Sequence, residues 1–389
     1  MPNFFNNKHI LIGMTYLLIF FVSIYLVAHQ LTGLNYPSDT IAHLSFVNSY
    51  FDNRIYIPHP LWHYCVHMTT NLTLDDKTAA VLVTSLFILF WAYTVHAMLN
   101  FFIEGKYFIK LLLLLVLLVI GPLFIPYLST NIYLGTGSPN IWHNVTLLTV
   151  KPFALLTVFF TISTLNNPDK LKYYLMTITI FIASMYAKPS FAIMFIPAII
   201  IYVLLQKKYY DKRIFTFIIT LVFTFLIISI TQFLGTYSSE NKILAFGRES
   251  SHIIIDFFGP WAHYTSSIFI SIITAMFFPF IFMILNYHKL FNSKSLHTEL
   301  LVFSWIMFII SILIFSIFAE EGIRYYHLNF GWSYNLALSI LYVFSLISYF
   351  ILYSETPTLK KSILNIILLI QISIGLYYLY NILQGGTYY

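Results

Sequence analysis

Residues 10–28 read ILIGMTYLLIFFVSIYLVA, nineteen positions without a charge. A helix of that length rises about 28 Å, close to the thickness of a bilayer's hydrocarbon core. Lys8 precedes the run and no small-residue cleavage site follows it. The run is therefore expected to stay as a first span rather than leave as a signal peptide. Working outward, similar runs recur at roughly 79–100, 108–128, 147–166, 173–187, 189–205, 214–234, 264–286, 299–318, 332–353 and 362–383. The expectation is an all-α polytopic membrane protein, one transmembrane domain over 1–389 with about eleven crossings and no separate soluble domain.

Composition points the same way. The chain is 59% hydrophobic and 9% charged, against about 25% charged in soluble domains. The net charge of +6 is scattered, with no basic run interleaved with aromatics. Nucleic acid is therefore not an expected partner, and the lipid bilayer is. Cys65 is the only cysteine, so an intrachain disulfide and a cysteine-rich metal site are excluded. No phosphate-binding glycine loop, dinucleotide fingerprint or Gly-x-Ser-x-Gly elbow occurs, which removes support for nucleotide-driven transport and serine hydrolysis.

Orientation is read from Lys and Arg. With the N-terminus inside, thirteen of the 20 basic residues fall on cytoplasmic loops, among them Lys106, Lys170, Lys207, Lys212, Lys289 and Lys360. The longer segments, about 29–78, 129–146, 235–263 and 319–331, then face outward and hold most of the Asp, Glu, His, Trp, Gly and Pro. Loops on a rigid scaffold are where chemistry is usually carried. The outer face is thus the expected active face; the low-charge composition leaning to Ile, Lys, Asn, Phe and Tyr suggests an AT-rich bacterial genome, and the cytoplasmic membrane of a bacterium is the expected location. Segments 173–187 and 189–205 are too short to cross comfortably and meet at Ala187-Lys188-Pro189-Ser190. A lysine there either snorkels or meets an anionic group or wet cavity.

The first outer loop reads Asn35-Tyr36-Pro37-Ser38-Asp39-Thr40-Ile41-Ala42-His43, then Asp52-Asn53-Arg54, then Pro58-His59-Pro60-Leu61-Trp62-His63-Tyr64. Ser38 or Asp39 can cap a helix running to about Phe51, and Pro60 suits the first turn of a second. Two short amphipathic helices on the membrane surface are expected within 29–78. Asp39 and His43, and likewise His63 and His67, stand four apart and share a face. These two pairs could bind one divalent metal, although interfacial histidines satisfied by their neighbours are the commoner arrangement.

The loop resembles that of the GT-C superfamily of membrane glycosyltransferases, whose familiar members are the protein O-mannosyltransferases and aminoarabinose transferases. The family pattern is an acidic residue soon after the first span, then a His/Lys-Pro-Pro-Leu-aromatic stretch opening a second helix. Asp39 matches the acid and His59-Pro60-Leu61-Trp62 the stretch. The departures are Thr40 in place of a second acid and Leu61 in place of the second proline; a C-terminal outer domain, which many members carry, is not expected here.

The resemblance implies a GT-C-like fold and transfer of a sugar from a polyprenyl-phosphate donor to a glycolipid, glycan or protein acceptor. It implies that Asp39 acts on the acceptor hydroxyl as general base or by positioning it; the competing reading of Asp39 is a plain helix cap. Cations near the outer leaflet would hold the donor phosphate, with Arg324, Lys151, Lys188, Arg248 and His327 as candidates. Lys151 follows the Gly135-Thr136-Gly137-Ser138-Pro139-Asn140-Ile141-Trp142-His143-Asn144 run, which reads as a ligand-facing loop or as an ordinary turn. Arg324 either meets phosphate or pairs with Glu320 or Glu321. His43, His59, Trp62, His63, Trp142, His143, Glu321 and Trp332 are the expected acceptor or sugar surface, and Trp261 a further aromatic wall. No cofactor is required by this chemistry, the divalent metal at Asp39, His43, His63 and His67 being the one candidate. A polysaccharide polymerase or ligase using a polyprenyl-diphosphate donor, and a transporter or flippase, are the rival functions. The second predicts charges in mid-span and repeat symmetry, neither of which is evident.

Overall fold

The computed structural model describes residues 7–32, 38–52, 55–73, 75–129, 131–237 and 252–385. Arg248, Arg54 and the Asn35-Tyr36-Pro37 stretch lie outside the described residues. The described chain is almost entirely helical: α1 (Asn7–Thr32), α2 (Thr40–Phe51), α3 (Leu61–Thr73), α4 (Asp76–Phe102), α5 (Tyr107–Val119), α6 (Val145–Asn166), α7 (Leu171–Ala187), α8 (Ser190–Leu205), α9 (Lys212–Thr236), α10 (Ile268–Ala275), α11 (Phe277–Asn292), α12 (Leu296–Ile317), α13 (Gly331–Ile351) and α14 (Thr358–Leu383). Two three-residue strands, β1 (Ile253–Ile255) and β2 (Phe318–Glu320), pair antiparallel with Ile253 opposite Glu320.

Among the described residues seven helices are long and apolar enough to cross a membrane: α1, α4, α6, α9, α12, α13 and α14. The apolar helices α5, α7 and α8 are shorter, and α10 and α11 form one pair bent by 71°. α6 and α13 sit at the centre, buried along nearly their whole length, with α7 against α6 and α12 against α13. Lipid tails give apolar helices little reason to associate, so close packing must. Gly121 and Gly375 supply it where the end of α5 meets α14: a Cβ on Gly375 would lie 1.8 Å from the Val119 carbonyl oxygen. Several buried Ser and Thr on α6 bond back to their own helix, as Thr149 does by donating to the Val145 carbonyl at 2.8 Å.

Two runs read from sequence as single spans are interrupted. The 108–128 run is helical only to Val119, because Gly121-Pro122 disfavours a continuing helix. The 264–286 run bends at Met276. Pro279 has no N–H to offer the Ala275 carbonyl four residues back, and the Tyr342 hydroxyl donates to that carbonyl instead, at 2.7 Å. Such side-chain substitution is what permits a helix break where water is absent.

α2 and α3 form where the first loop was expected to carry two helices, and they pack on each other and on α4. The Trp62 indole, fully buried, donates to Thr84 Oγ1 on α4 at 3.0 Å. At the opposite end of the bundle lie the Lys208–Glu299 and Lys289–Glu355 pairs, at 3.8 and 3.0 Å, and an Arg213–Asp169 pair.

Candidate functional site

The site is built on segment 131–144, which turns inward. Ser138, Asn140, His143 and Asn144 are all buried. A buried irregular backbone must find partners, and here side chains provide them. Asn131 Oδ1 accepts from the Tyr133 and Leu134 amides, and Asn335 Oδ1 accepts from the Ser138 amide at 2.8 Å. The Tyr334 hydroxyl donates to the Thr136 carbonyl, and the Trp261 indole to the Gly135 carbonyl at 2.8 Å. Asn140 Nδ2 donates to the carbonyls of Leu117 and Ile120, at 3.0 and 2.9 Å, where α5 stops. Gly137 has φ of +91°, and a Cβ there would lie 2.1 Å from the Tyr334 ring. The segment is thus a strut between α5 and α13.

Lys151 belongs to that strut. Its ammonium donates to the Pro139 carbonyl at 3.0 Å and lies 5.5 Å from the centre of the Trp91 ring. It is 2% exposed and is not on the wall of the groove described below. Trp261 is likewise a strut residue, fully buried and stacked on Phe315 at 4.1 Å.

The strut delivers Asn144 to the start of α6, where Oδ1 accepts from the Leu147 amide at 2.7 Å as an N-cap. The same side chain joins two charges: Nδ2 donates to Asp39 Oδ2 at 2.6 Å, and Oδ1 accepts from Lys188 Nζ at 3.2 Å. Thr146 Oγ1 takes a second Lys188 bond at 2.7 Å, and the ammonium lies 5.1 Å from the Trp332 ring centre. Lys188 is 6% exposed, so its charge is held inside rather than snorkelled to water.

Asp39 precedes α2, yet its carboxylate makes no cap bond; Ser38 Oγ accepts from the Thr40 amide instead. Asp39 Oδ1 is buried and has no hydrogen-bond partner among the described residues. Burial pushes the Asp39 carboxyl above its ordinary range, against the pull of the nearby Lys188 charge and the Asn144 donor. Gln30, near the end of α1, secures the region. Its Nε2 donates to the Trp142 carbonyl at 2.8 Å, and its Oε1 accepts from Ser38 and Thr40.

Three imidazoles stand beside the acid. His43 Nδ1 and His63 Nε2 are 3.1 Å apart, and the His59 ring lies 6.1 Å from that of His43. Burial holds His43 and His59 well below the usual histidine range and His63 down at about 4, so the cluster is neutral at pH 7. His67 is not part of it: the ring stacks on Phe51 at 3.7 Å. The grouping of Asp39, His43, His63 and His67 is therefore not assembled, and among the described residues no three His, Cys, Asp or Glu side chains are arranged to hold a metal ion. His143 packs against Tyr133 at 4.3 Å, and burial lowers it to about 3.

From Lys188 a groove of about 470 Å³ opens between α8, α9 and α12. Its head is lined by His59, Lys188, Glu320, Arg324, Asn329 and Trp332, and its length by Ile193, Phe225, Ile230, Phe233 and Ile314. Arg324 lies 3.3 Å from Glu320, which also accepts from the Tyr237 hydroxyl at 2.9 Å and from Asn329 Nδ2. Asp39 lies behind Lys188, off the groove wall, and reaches it through Asn144.

Of the residues singled out in the sequence, the structure brings Asp39, His43, His59, His63, Lys188, Arg324 and Trp332 together around the groove head. His327 and Glu321 are exposed on the loop beyond the groove, and Trp62 and Trp142 are buried supports. Asn144, Thr146, Tyr237 and Asn329 were not singled out. Asn144 carries a cap signature ahead of α6, but nothing in the chain marks its contact with Asp39, 105 residues away.

A comparison with protein-family models finds no match, and neither does one with curated protein sequences.

Proposed function

We propose that this chain is a GT-C-type glycosyltransferase that moves a sugar from a polyprenyl-phosphate carrier to an acceptor hydroxyl on the outer face of a bacterial cytoplasmic membrane, within cell-surface glycoconjugate synthesis. The acceptor is a glycolipid, glycan or protein, and the N-terminus lies inside. On this reading α5, α7, α8 and the α10–α11 pair complete eleven passes with the seven long helices. The observation that carries the proposal is a carboxylate, Asp39, tied through one amide to a lysine at the polar head of an apolar groove. An amphiphile with an anionic head suits that shape: the chain lies along α9, and Lys188 and Arg324 meet the phosphate.

The chemistry balances without a further reactant. The acceptor hydroxyl gives its proton to Asp39 Oδ1 as its oxygen bonds to the sugar's anomeric carbon. The bond from that carbon to the phosphate oxygen breaks, and the electron pair leaves with the lipid phosphate beside Lys188 and Arg324. Burial keeps competing water away and strengthens both electrostatic contacts. Neutral imidazoles at His43, His59 and His63 add no positive charge to trap the departing phosphate.

The test is transfer by purified protein in detergent, with labelled polyprenyl-phosphate sugars offered to a membrane extract from its own cells. Asp39→Asn is expected to lower transfer by about 10²–10⁴ while the protein stays folded and retains donor. Equal transfer by both proteins would remove Asp39 from the chemistry, and no transfer by either with any donor would reject the enzyme.

A further inference from the structure

Asn144 makes four bonds with one side chain; one is accepted from the Thr146 hydroxyl at 3.0 Å, and the other three serve two different ends. The bond from the Leu147 amide starts α6, a structural task that Asp or Ser performs as well. The other two reach Asp39 and Lys188, and neither is needed to begin a helix. The residue is 2% exposed and rests on the 131–144 strut, whose partners come from α5 and α13. It is therefore held rigidly by groups outside the site.

We infer that Asn144 is a positioning residue: by donating to Asp39 Oδ2 and accepting from Lys188 it leaves Oδ1 as the proton-accepting oxygen and fixes the spacing between the carboxylate and the phosphate-side ammonium. This rests on the transferase reading of Asp39. The amide is suited to the task because it donates at one end and accepts at the other. A carboxylate in its place accepts at both ends, and a hydroxyl is too short to span them. The donated hydrogen bond also favours ionised Asp39, so its loss raises the pH at which Asp39 takes a proton.

The experiment uses the full-length protein in detergent with Asn144→Asp and Asn144→Ser, both of which keep an oxygen to cap α6. Two readouts are taken. The first is the infrared carboxyl band that Asp39→Asn abolishes, followed against pH. The second is kcat and KM for transfer from a polyprenyl-phosphate sugar. The expected result is that the Asp39 band titrates at higher pH in both variants, further in Asn144→Asp, where a second anion is added. Transfer is expected to fall about 10²-fold in kcat, with donor KM within a few-fold of wild type.

An unmoved Asp39 titration overturns the inference, whatever the activity. A moved titration with wild-type kcat overturns the positioning role. If the wild-type protein transfers nothing, the transferase reading fails by itself, and the infrared titration alone supports or overturns the tie between Asn144 and Asp39.

Discussion

Asp39 and Lys188 hold opposite ends of one amide: Asn144 donates to the carboxylate at 2.6 Å and accepts from the ammonium at 3.2 Å. The charges are thereby coupled while a neutral group stands between them. Each helps the other remain ionised in a setting that disfavours both.

That coupling has a pH signature. Burial raises the Asp39 carboxyl, and Lys188 partly restrains it. Activity that needs the carboxylate is lost as pH falls through the raised value, so the acid limb of kcat/KM lies above the ordinary carboxylate range of about 4. Lys188→Met removes the restraining charge and is expected to move the limb to higher pH. Lys188→Arg keeps the charge and is expected to leave it in place. A pH–rate profile of the three proteins checks both.

Arg324 is expected to act on donor affinity. Its partner Glu320 is 5% exposed and also held by Tyr237 and Asn329, so the guanidinium is aimed at the groove head by a fixed anchor. Arg324→Gln should raise donor KM about tenfold or more with a smaller change in kcat, and Arg324→Lys should recover part of the loss. An unchanged donor KM in Arg324→Gln would place the phosphate elsewhere.

The strut makes a prediction about stability. Asn140→Ala strands the Leu117 and Ile120 carbonyls in a buried place, at a cost of roughly 1–3 kcal/mol for each group left unsatisfied. Thermal unfolding in detergent should drop by several degrees. Transfer should fall with it, because Asn144 rides on the same segment.

Two glycines separate a tight contact from an open one. Gly375→Ala drives a methyl into the Val119 carbonyl and is expected to lower both yield and Tm. Gly13→Ala on α1 meets nothing within 4 Å and should leave Tm unchanged or slightly raised. Parallel melts of the two variants decide it.

How far the sequence could be read follows from what each residue contrasts with. Long apolar runs show themselves against any background, and so do Asp39, Lys188 and Arg324 as charges beside apolar spans. Lys151 looked equivalent to Lys188 because both border polar turns, but the 131–144 turn folds inward and takes Lys151's ammonium with it. His67 shares a helix face with His63, and only the approach of α2 shows that Phe51 covers it. Asn140 and Asn144 were hidden among many uncharged polar residues, and their roles depend on partners far along the chain. The bend at Met276 had a cue in Pro279, but a proline three residues into a helix is also compatible with a straight start.

The contact between Gly121 and Gly375 sets an order on the protein's synthesis. The Gly121 amide, freed where α5 ends, donates to the Gln371 carbonyl at 3.1 Å, and Gln371 Nε2 donates to the Tyr342 hydroxyl that completes the broken α10–α11 turn. The interruption after α5 is thus closed by α14 and the one between α10 and α11 by α13, each a helix made later along the chain. At about 5–20 residues per second, the nascent chain waits on the order of ten seconds or more with the Gly121 amide open. Any assistance the chain needs during insertion is needed in that interval, and α14 ends it.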